Sequence, residues 1–184
     1  SASKRPSLEK KDNPMITILR LGHRKDRDKR ASMHVALVAR ALGARRIVFA
    51  GEPDDELLTR VQTVVAKWGG PFDAEYSESY RKVLKSFKGA KVHLTMYGVP
   101  LQNAVAKIRK HKNVLVVVGS EKVPADVYQL CDYNVAVTNQ PHSEIAALAL
   151  LLREVDWPKV LKKRFRKGQL RIIPSETSKN VEKI

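Results

Sequence analysis

The chain has 184 residues, 43% of them hydrophobic, and a formal net charge of +16 that comes mainly from residues 1–30 and 153–184. Basic surface at both ends predicts a polyanionic partner, most simply a nucleic acid bound through its phosphates, with solubility alone as the alternative. A single cysteine, Cys131, excludes a disulfide framework and a cysteine-based zinc site, and no apolar stretch has the length of a membrane span or the form of a secretory signal, so we expect a soluble, cytoplasmic protein.

The N-terminal part alternates between strand and helix patterns after a polar start. Residues 1–14 have almost no apolar content and are expected to form a flexible basic tail, either a native extension or an added segment. From Met15, MITILRL predicts a strand, GHRKDRDKR a charged loop, ASMHVALVARALGA a helix and RIVFA a second strand. PDDELLTRVQTVVAKWGG predicts a helix with acids at its start and glycines at its end. Its acids, Asp54, Asp55 and Glu56, are interpreted as complements of the helix dipole and not as a metal site.

The middle of the chain continues this alternation. Strands are predicted for FDAEY, VLVVVG, YNVAV and KVHLTMYG, the last running into a turn, and helices for SYRKVLKSFKG, PLQNAVAKIRKHK and the segment that begins at Ser143. SEKVPADVYQLC is predicted to form a loop followed by a helix. The β-branched run VLVVVG is typical of a central strand that is buried on both faces. The sequence therefore predicts an α/β domain over residues 15–156, with a mainly parallel sheet flanked by helices.

Residues 157–184 are predicted to form a basic C-terminal extension. A helix is expected to end at Gly168, and QLRII is expected to add a strand. One stripe of this helix is apolar and comprises Trp157, Val160, Leu161 and Phe165. We expect the extension to dock by this stripe and to present its basic face to a partner.

Common catalytic motifs are absent from the sequence. It contains no G-x-G-x-x-G, Walker A, H-E-x-x-H or G-x-S-x-G pattern. Five histidines, at positions 23, 34, 93, 111 and 142, show no metal-ligand spacing, so no metal site is expected. His34 and His93 lie within apolar patterns and are interpreted as hydrogen-bonded core residues.

Polar segments follow four of the predicted strands, at the ends where open α/β sheets bind ligands. They are GHRKDRDKR, TMYG, GSEKVP and TNQPHSE. Gly98 and Gly119 would let the backbone approach a ligand closely, and the helix start near Ser143 offers free N–H groups. Any one segment alone is equally well explained as an ordinary turn or cap, but the four together predict a pocket.

Long parts of the chain resemble one known family. The segments LRLGHRKDRDKR, HVALVARALGARRIVFA, WGGPF, VHLTMYG and VGSEKVPADVYQLCDYNVAVTNQPHSEIAALALLL closely resemble archaeal tRNA cytidine 2′-O-methyltransferases of the SPOUT class, which modify the T-loop cytidine at tRNA position 56. The resemblance runs from Met15 to about Val155. It implies a homodimeric enzyme with a C-terminal trefoil knot, S-adenosylmethionine as cofactor and tRNA as partner. A SPOUT methyltransferase acting on another RNA position, a non-catalytic RNA-binding module and a structural protein are the alternatives.

The resemblance also implies which residues bind the cofactor. Enzymes of this class hold it mainly through backbone groups of the knot loops. In this chain those are Leu94, Thr95, Met96, Tyr97 and Gly98, then Gly119, Ser120, Glu121, Lys122 and Val123, then Val137, Thr138, Asn139, Gln140, Pro141, His142, Ser143 and Glu144. The following run, Ile145 to Leu152, is expected to pack in the knot and dimer core, where Ala146, Ala147 and Ala149 permit close helix approach.

The chain departs from SpoU-like relatives at the catalytic arginine. Those relatives carry it in the first helix, where this chain has Leu37. The candidates for its replacement are four arginines nearby, Arg20, Arg24, Arg27 and Arg30. Arginine can stabilise a ribose alkoxide but is a poor base, so His23, His142 and a substrate phosphate are the candidate proton acceptors.

Overall fold

The structure, a computed structural model, describes residues 14–184, so the tail predicted for residues 1–14 lies almost wholly outside the described residues. The main strands are β1 (Met15–His23), β2 (Arg46–Gly51), β3 (Asp73–Ser77), β4 (Ala90–Pro100), β5 (Asn113–Val118) and β6 (Tyr133–Ala136). They form a parallel sheet in the order β3-β2-β1-β5-β4-β6. The helices are α1 (Lys25–Ala41), α2 (Asp55–Trp68), α3 (Tyr80–Ser86), α4 (Leu101–Ile108), α5 (Ala125–Leu130) and α6 (Glu144–Asp156). The predicted mainly parallel α/β fold is confirmed.

Helices cover the sheet on both faces. On one face α1, α2, α4 and α6 pack over side chains such as Ile18 and Val116. On the other, α3 and α5 cover the intervening side chains, such as Leu19 and Val117. The run from Val114 to Val118 is buried throughout, as expected of a central parallel strand. None of the described helices combines the length and apolar character needed to cross a membrane.

Helix α1 begins earlier than the sequence predicts. It starts at Lys25, so most of the segment predicted as a charged loop is helical. Asp26 and Asp28 lie in the first turn, where carboxylates complement the helix dipole, and Asp28 Oδ2 accepts a hydrogen bond from the Arg24 backbone N–H at 3.0 Å. This turn is stabilised by charge and has no apolar periodicity, which is why the pattern did not indicate it.

Asp54, which the sequence indicates as a complement of the helix dipole at the start of α2, also caps this helix and contacts a buried histidine. Its Oδ1 accepts a hydrogen bond from the Leu57 backbone N–H at 3.0 Å, while its Oδ2 lies 3.2 Å from His23 Nε2. The other ring nitrogen of His23 lies 2.8 Å from Ser32 Oγ. Burial alone would raise the pKa of Asp54, but the hydrogen bonds from Leu57 and His23 hold it below its usual value. This buried group joins β1, α1 and α2.

The C-terminal extension differs from its prediction. The prediction of an amphipathic helix is wrong: within residues 157–168 only Lys159–Lys162 form a helical turn, a short 3₁₀ helix. The reason is Pro158, because a residue before proline disfavours helical backbone, and Trp157 is extended. The predicted strand is confirmed as β7 (Leu170–Ile173), which pairs with β8 (Asn180–Lys183) in a separate antiparallel sheet.

Candidate active site

A cleft of about 610 Å³ opens at the carboxyl-terminal parts of β1, β4 and β5. This volume falls within the roughly 300–1,000 Å³ of small-molecule and cofactor sites. All four predicted polar segments contribute to its walls. The TMYG segment was expected to turn out of the strand, and this is wrong: β4 continues through it to Pro100 but does not pair with β6 between Leu94 and Val99.

The three segments assigned to the cofactor converge on this cleft. The members that line it are Leu94, Thr95, Met96, Tyr97, Gly119, Ser120, Glu121, Val123, His142 and Glu144. Lys122 lines a smaller adjoining cleft of about 350 Å³. The other assigned residues are outside both linings, namely Gly98, Val137, Thr138, Asn139, Gln140, Pro141 and Ser143.

Two of the residues outside the lining organise it. The Asn139 side-chain amide donates to the carbonyls of Met96 at 2.7 Å and Gly98 at 2.9 Å, so it ties the third segment to the first. Ser143 caps α6 by accepting a hydrogen bond from the Ile145 backbone N–H at 3.2 Å. The polar start of this apolar helix therefore combines a helix cap with a wall of the cleft.

The two glycines of these segments are crowded by the protein itself. A side chain on Gly98 would meet the backbone of Asn134 and Val135 in β6. A side chain on Gly119 would meet the side chain of Val123. The adjacent strand therefore already requires glycine at position 98, and the approach of a ligand to this backbone stays a prediction.

Arg20 enters the cleft from β1 and is only 1% exposed. Its guanidinium donates to the Gly119 carbonyl and lies 3.5 Å from Glu144 Oε1. Its Nε has no hydrogen-bond partner within residues 14–184. Burial lowers the pKa of Arg20 and the Glu144 carboxylate opposes this, so a cation is held at the floor of the cleft next to one acid.

The other candidate arginines lie further out. Arg27 lines the cleft, and its hydrogen bonds to Asp28 at 2.8 Å and Glu121 at 2.7 Å raise its pKa. Arg24 lies 3.7 Å from Glu121 and lines the adjoining cleft. Arg30 is exposed on α1 and lines neither.

Only one of the two histidine candidates reaches the cleft. His142 is exposed and lines it. His23 is buried, and both of its ring nitrogens are engaged by Ser32 and Asp54, so the structure does not support its expected role as a proton acceptor. Over the described part of the chain, no group of three or more His, Cys, Asp or Glu residues is arranged to hold a metal ion.

His93 was interpreted as a core histidine, and the structure adds a second property. It is 0% exposed, as expected, but it also lines the cleft. Its ring packs edge-on against Tyr128, with 4.6 Å between the ring centroids. The only sequence signal for a site role is a polar residue directly before a predicted ligand segment. His34, which had the same core interpretation, is exposed on α1, so that interpretation is wrong.

The cleft has a charged side and a neutral side. The charged residues Arg20, Arg27, Asp28 and Glu144 lie towards α1 and α6, and a fifth, Glu121, accepts a hydrogen bond from Arg27 and comes from the segment before α5. The neutral residues lie towards α5 and are His93, Thr95, Val123 and Tyr128. Tyr128 was not predicted from the sequence; its hydroxyl lies 3.2 Å from Thr95 Oγ1. A molecule with one charged and one aromatic end would fit this division.

The sequence matches known proteins over most of its length. The family model described as "tRNA ribose 2′-O-methyltransferase, aTrm56" matches residues 68–182. A protein of Pyrococcus horikoshii named tRNA (cytidine(56)-2′-O)-methyltransferase is 49% identical over 174 residues, which are 92% of this chain and 86% of that protein. A protein of the same name from Archaeoglobus fulgidus is 50% identical over 166 residues, covering 90% of this chain and 97% of that protein.

The fold is also similar to a solved structure. The SpoU methyltransferase AviRb from Streptomyces viridochromogenes, in complex with the cofactor AdoMet, matches with a TM-score of 0.56 at 16% identity. The match covers 79% of this chain, which spans only 58% of the AviRb chain. At this identity the likeness concerns the fold alone.

Proposed function

The chain belongs to the aTrm56 family of tRNA ribose 2′-O-methyltransferases, and from this premise we propose that the cleft at β1, β4 and β5 is its active site. The reaction is 2′-O-methylation of the cytidine at tRNA position 56. The observation that carries the proposal is the convergence of three distant segments around one buried arginine, Arg20.

We propose S-adenosylmethionine as the methyl donor. Support comes from the size of the cleft and from two buried polar atoms at its walls, Arg20 Nε and His93 Nε2, which lack partners within residues 14–184. Residues 94–97, 119–123 and 142–144 would hold the donor. When bound, it supplies an electrophilic methyl group.

The remaining chemistry falls to the chain's own side chains. A ribose hydroxyl is a weak nucleophile, so its developing negative charge needs stabilisation in a site that excludes water. Arg20 supplies a fixed positive charge there. His142 is the one predicted side-chain acceptor that lines the cleft, and it takes the proton. Arg24, Arg27 and Arg30, which are exposed, bind tRNA phosphates.

The proposal is tested by mapping the product. Incubation of the protein with S-adenosylmethionine and a tRNA transcript is expected to place one methyl group on C56, located by mass spectrometry of nuclease fragments. The matched control is the same tRNA with 2′-deoxycytidine at position 56, which should gain no methyl group. Methylation elsewhere would favour the alternative RNA target, and tRNA binding without binding of the methyl donor in calorimetry would favour a non-catalytic module.

We propose that the protein is a homodimer that uses the outer face of α6. Leu150 on α6 is 51% exposed, and Trp157, which follows the last residue of this helix in an extended conformation, is 46% exposed. Leu161 beyond them is 68% exposed. Large exposed apolar side chains at the end of one helix and in the segment after it are typical of a subunit interface. Much of the run from Ile145 to Leu152, by contrast, is buried within its own subunit.

Leu150→Glu is therefore expected to convert the dimer to a monomer, as measured by light scattering. Gln62→Glu adds the same charge at an exposed position of α2 and should leave the dimer intact. Ala147 is unsuitable for this test because it is 1% exposed within the subunit, so a bulky charge there would disturb the fold itself. A monomeric wild-type protein would contradict the proposal.

We also propose that residues 90–144 form the trefoil knot that the family resemblance implies. The double pairing of β4 with β6, interrupted between Leu94 and Val99, supports this. We propose that residues 157–184 form a basic extension: its β7–β8 sheet is separate from the main sheet, while Arg166 pairs with Gly70 and the family match continues to residue 182.

A further inference from the structure

The neighbours of His93 determine which of its ring nitrogens carries the hydrogen. The Asn134 side-chain amide lies 3.0 Å from the Tyr128 carbonyl, which can only accept, so its Nδ2 must donate there. Asn134 Oδ1 then faces His93 Nδ1 at 2.9 Å, and this oxygen can also only accept. Nδ1 of His93 must therefore carry the hydrogen. In the neutral ring, Nε2 is left with an available lone pair.

That lone pair belongs to a buried, neutral group. Burial lowers the pKa of His93, and the hydrogen bond with Asn134 opposes this only in part. No residue of the described chain donates to Nε2, which has almost no exposed area, although the His93 side chain lines the cleft. An unpaired buried acceptor is costly, so Nε2 is expected to have a partner when the cleft is filled.

The position of His93 indicates which part of the methyl donor it meets. Side chains alternate along a strand, so Arg20 is on the same face of β1 as Ile16 and Ile18, which face α1 and α6. His93 lies between Val92 and Leu94, which point to that same face, so its own side chain points to the opposite face, towards α5. If the reacting methyl group lies near Arg20, the part of the donor far from the charged groups lies near His93. Its neutral, aromatic surroundings suit an adenine base and its ribose.

We propose that His93 Nε2 accepts a hydrogen bond from the adenosine part of S-adenosylmethionine, either from the adenine 6-amino group or from a ribose hydroxyl. This rests on the proposed function of the cleft as the S-adenosylmethionine site. If the donor is the 6-amino group, His93 discriminates against a purine with an oxygen at position 6, because that oxygen would place one acceptor against another; if the donor is a ribose hydroxyl, His93 discriminates against the deoxyribose analogue.

The test uses calorimetry with S-adenosylhomocysteine, which cannot react, and with two analogues. One carries hypoxanthine in place of adenine, and the other lacks a ribose hydroxyl. The wild-type protein is expected to bind the analogue that lacks the recognised donor about 10-fold to 100-fold more weakly. The analogue that loses affinity identifies the donor.

Variants of His93 separate this role from packing. His93→Phe keeps a planar ring but removes the acceptor, so it is expected to bind S-adenosylhomocysteine about 10-fold to 100-fold more weakly and to lose the preference among the analogues. His93→Gln carries an oxygen that can reach the position of Nε2, and it should recover part of the affinity. Thermal unfolding without ligand shows whether each variant is folded.

The outcomes distinguish the two levels of the proposal. Absence of S-adenosylhomocysteine binding to the wild type would overturn the proposed cofactor site. Tight binding with no preference among the analogues would overturn the role of His93 and leave the cofactor site standing. The ¹⁵N resonance of Nε2 gives a test that needs no variant. It should show an unprotonated nitrogen in the free protein and move when S-adenosylhomocysteine is added, and a protonated Nε2 in the free protein would overturn the inference.

Discussion

Arg20→Ala is expected to lower the single-turnover rate of tRNA methylation by about 100-fold to 1,000-fold, the usual loss when one preorganised donor to a developing oxyanion is removed. Arg20 is buried, and its guanidinium is fixed by the Gly119 carbonyl and by Glu144. Without it, the negative charge on the ribose oxygen has no compensating cation at the floor of the cleft. The measurement is made at saturating tRNA, so that weaker binding does not contribute.

Arg24→Ala is the comparison variant. The Arg24 side chain is 52% exposed and lines the adjoining cleft, so its loss is expected to act on tRNA affinity. Removing one phosphate contact should reduce the slope of log affinity against log salt by about one. If both variants lost the same fraction of the saturated rate, the assignment of the charge-stabilising role to Arg20 would be wrong.

Gly98→Ala is expected to lower both the stability of the fold and its affinity for S-adenosylhomocysteine. The added Cβ would lie 2.5 Å from backbone atoms of Asn134 and Val135, which cannot rotate away as a side chain can. Strand β6 must then move from β4, at a cost of about 1–3 kcal/mol. The loop tied to Gly98 by Asn139 moves with it. Denaturant unfolding and calorimetry measure the two effects.

Gly43→Ala provides the matched control. Gly43 has φ of +87°, so alanine there is also strained, but its added Cβ would meet the flexible side chain of Lys163, away from the cleft. We expect lower stability with unchanged ligand affinity. A Gly98→Ala protein with wild-type stability and affinity would show that β6 has room to move, which contradicts the crowding described here.

Local sequence patterns were sufficient for most of the fold. The β-branched run of β5 identified the centre of the sheet because apolar side chains on consecutive residues have to be buried on both faces. The patterns were insufficient where charge or a single proline decides whether a segment is helical. The first turn of α1 depends on acidic residues such as Asp28, and Pro158 interrupts an apolar stripe that otherwise has helical spacing.

The site was predictable as a region, but the roles of its members were not. The carboxyl ends of parallel strands are known ligand sites, and the family resemblance added the three segments. Choosing Arg20 among four arginines requires the contacts with Gly119 and Glu144, which are distant in sequence. His93 shows the same limit, because its available lone pair follows from the orientation of Asn134 and not from any local pattern.

The central position of β1 has a consequence for how the enzyme is made. Arg20 and Gly119 are 99 residues apart, and β1 pairs with β5 from Met15 to Arg20. Closing so long a loop costs conformational entropy, and domains dominated by such distant pairs fold slowly. During synthesis, one edge of β1 has no partner until β5 has left the ribosome. We therefore expect the nascent chain to need protection from aggregation over this interval, and catalysis to begin only after the residues up to Glu144 and α6 have been translated.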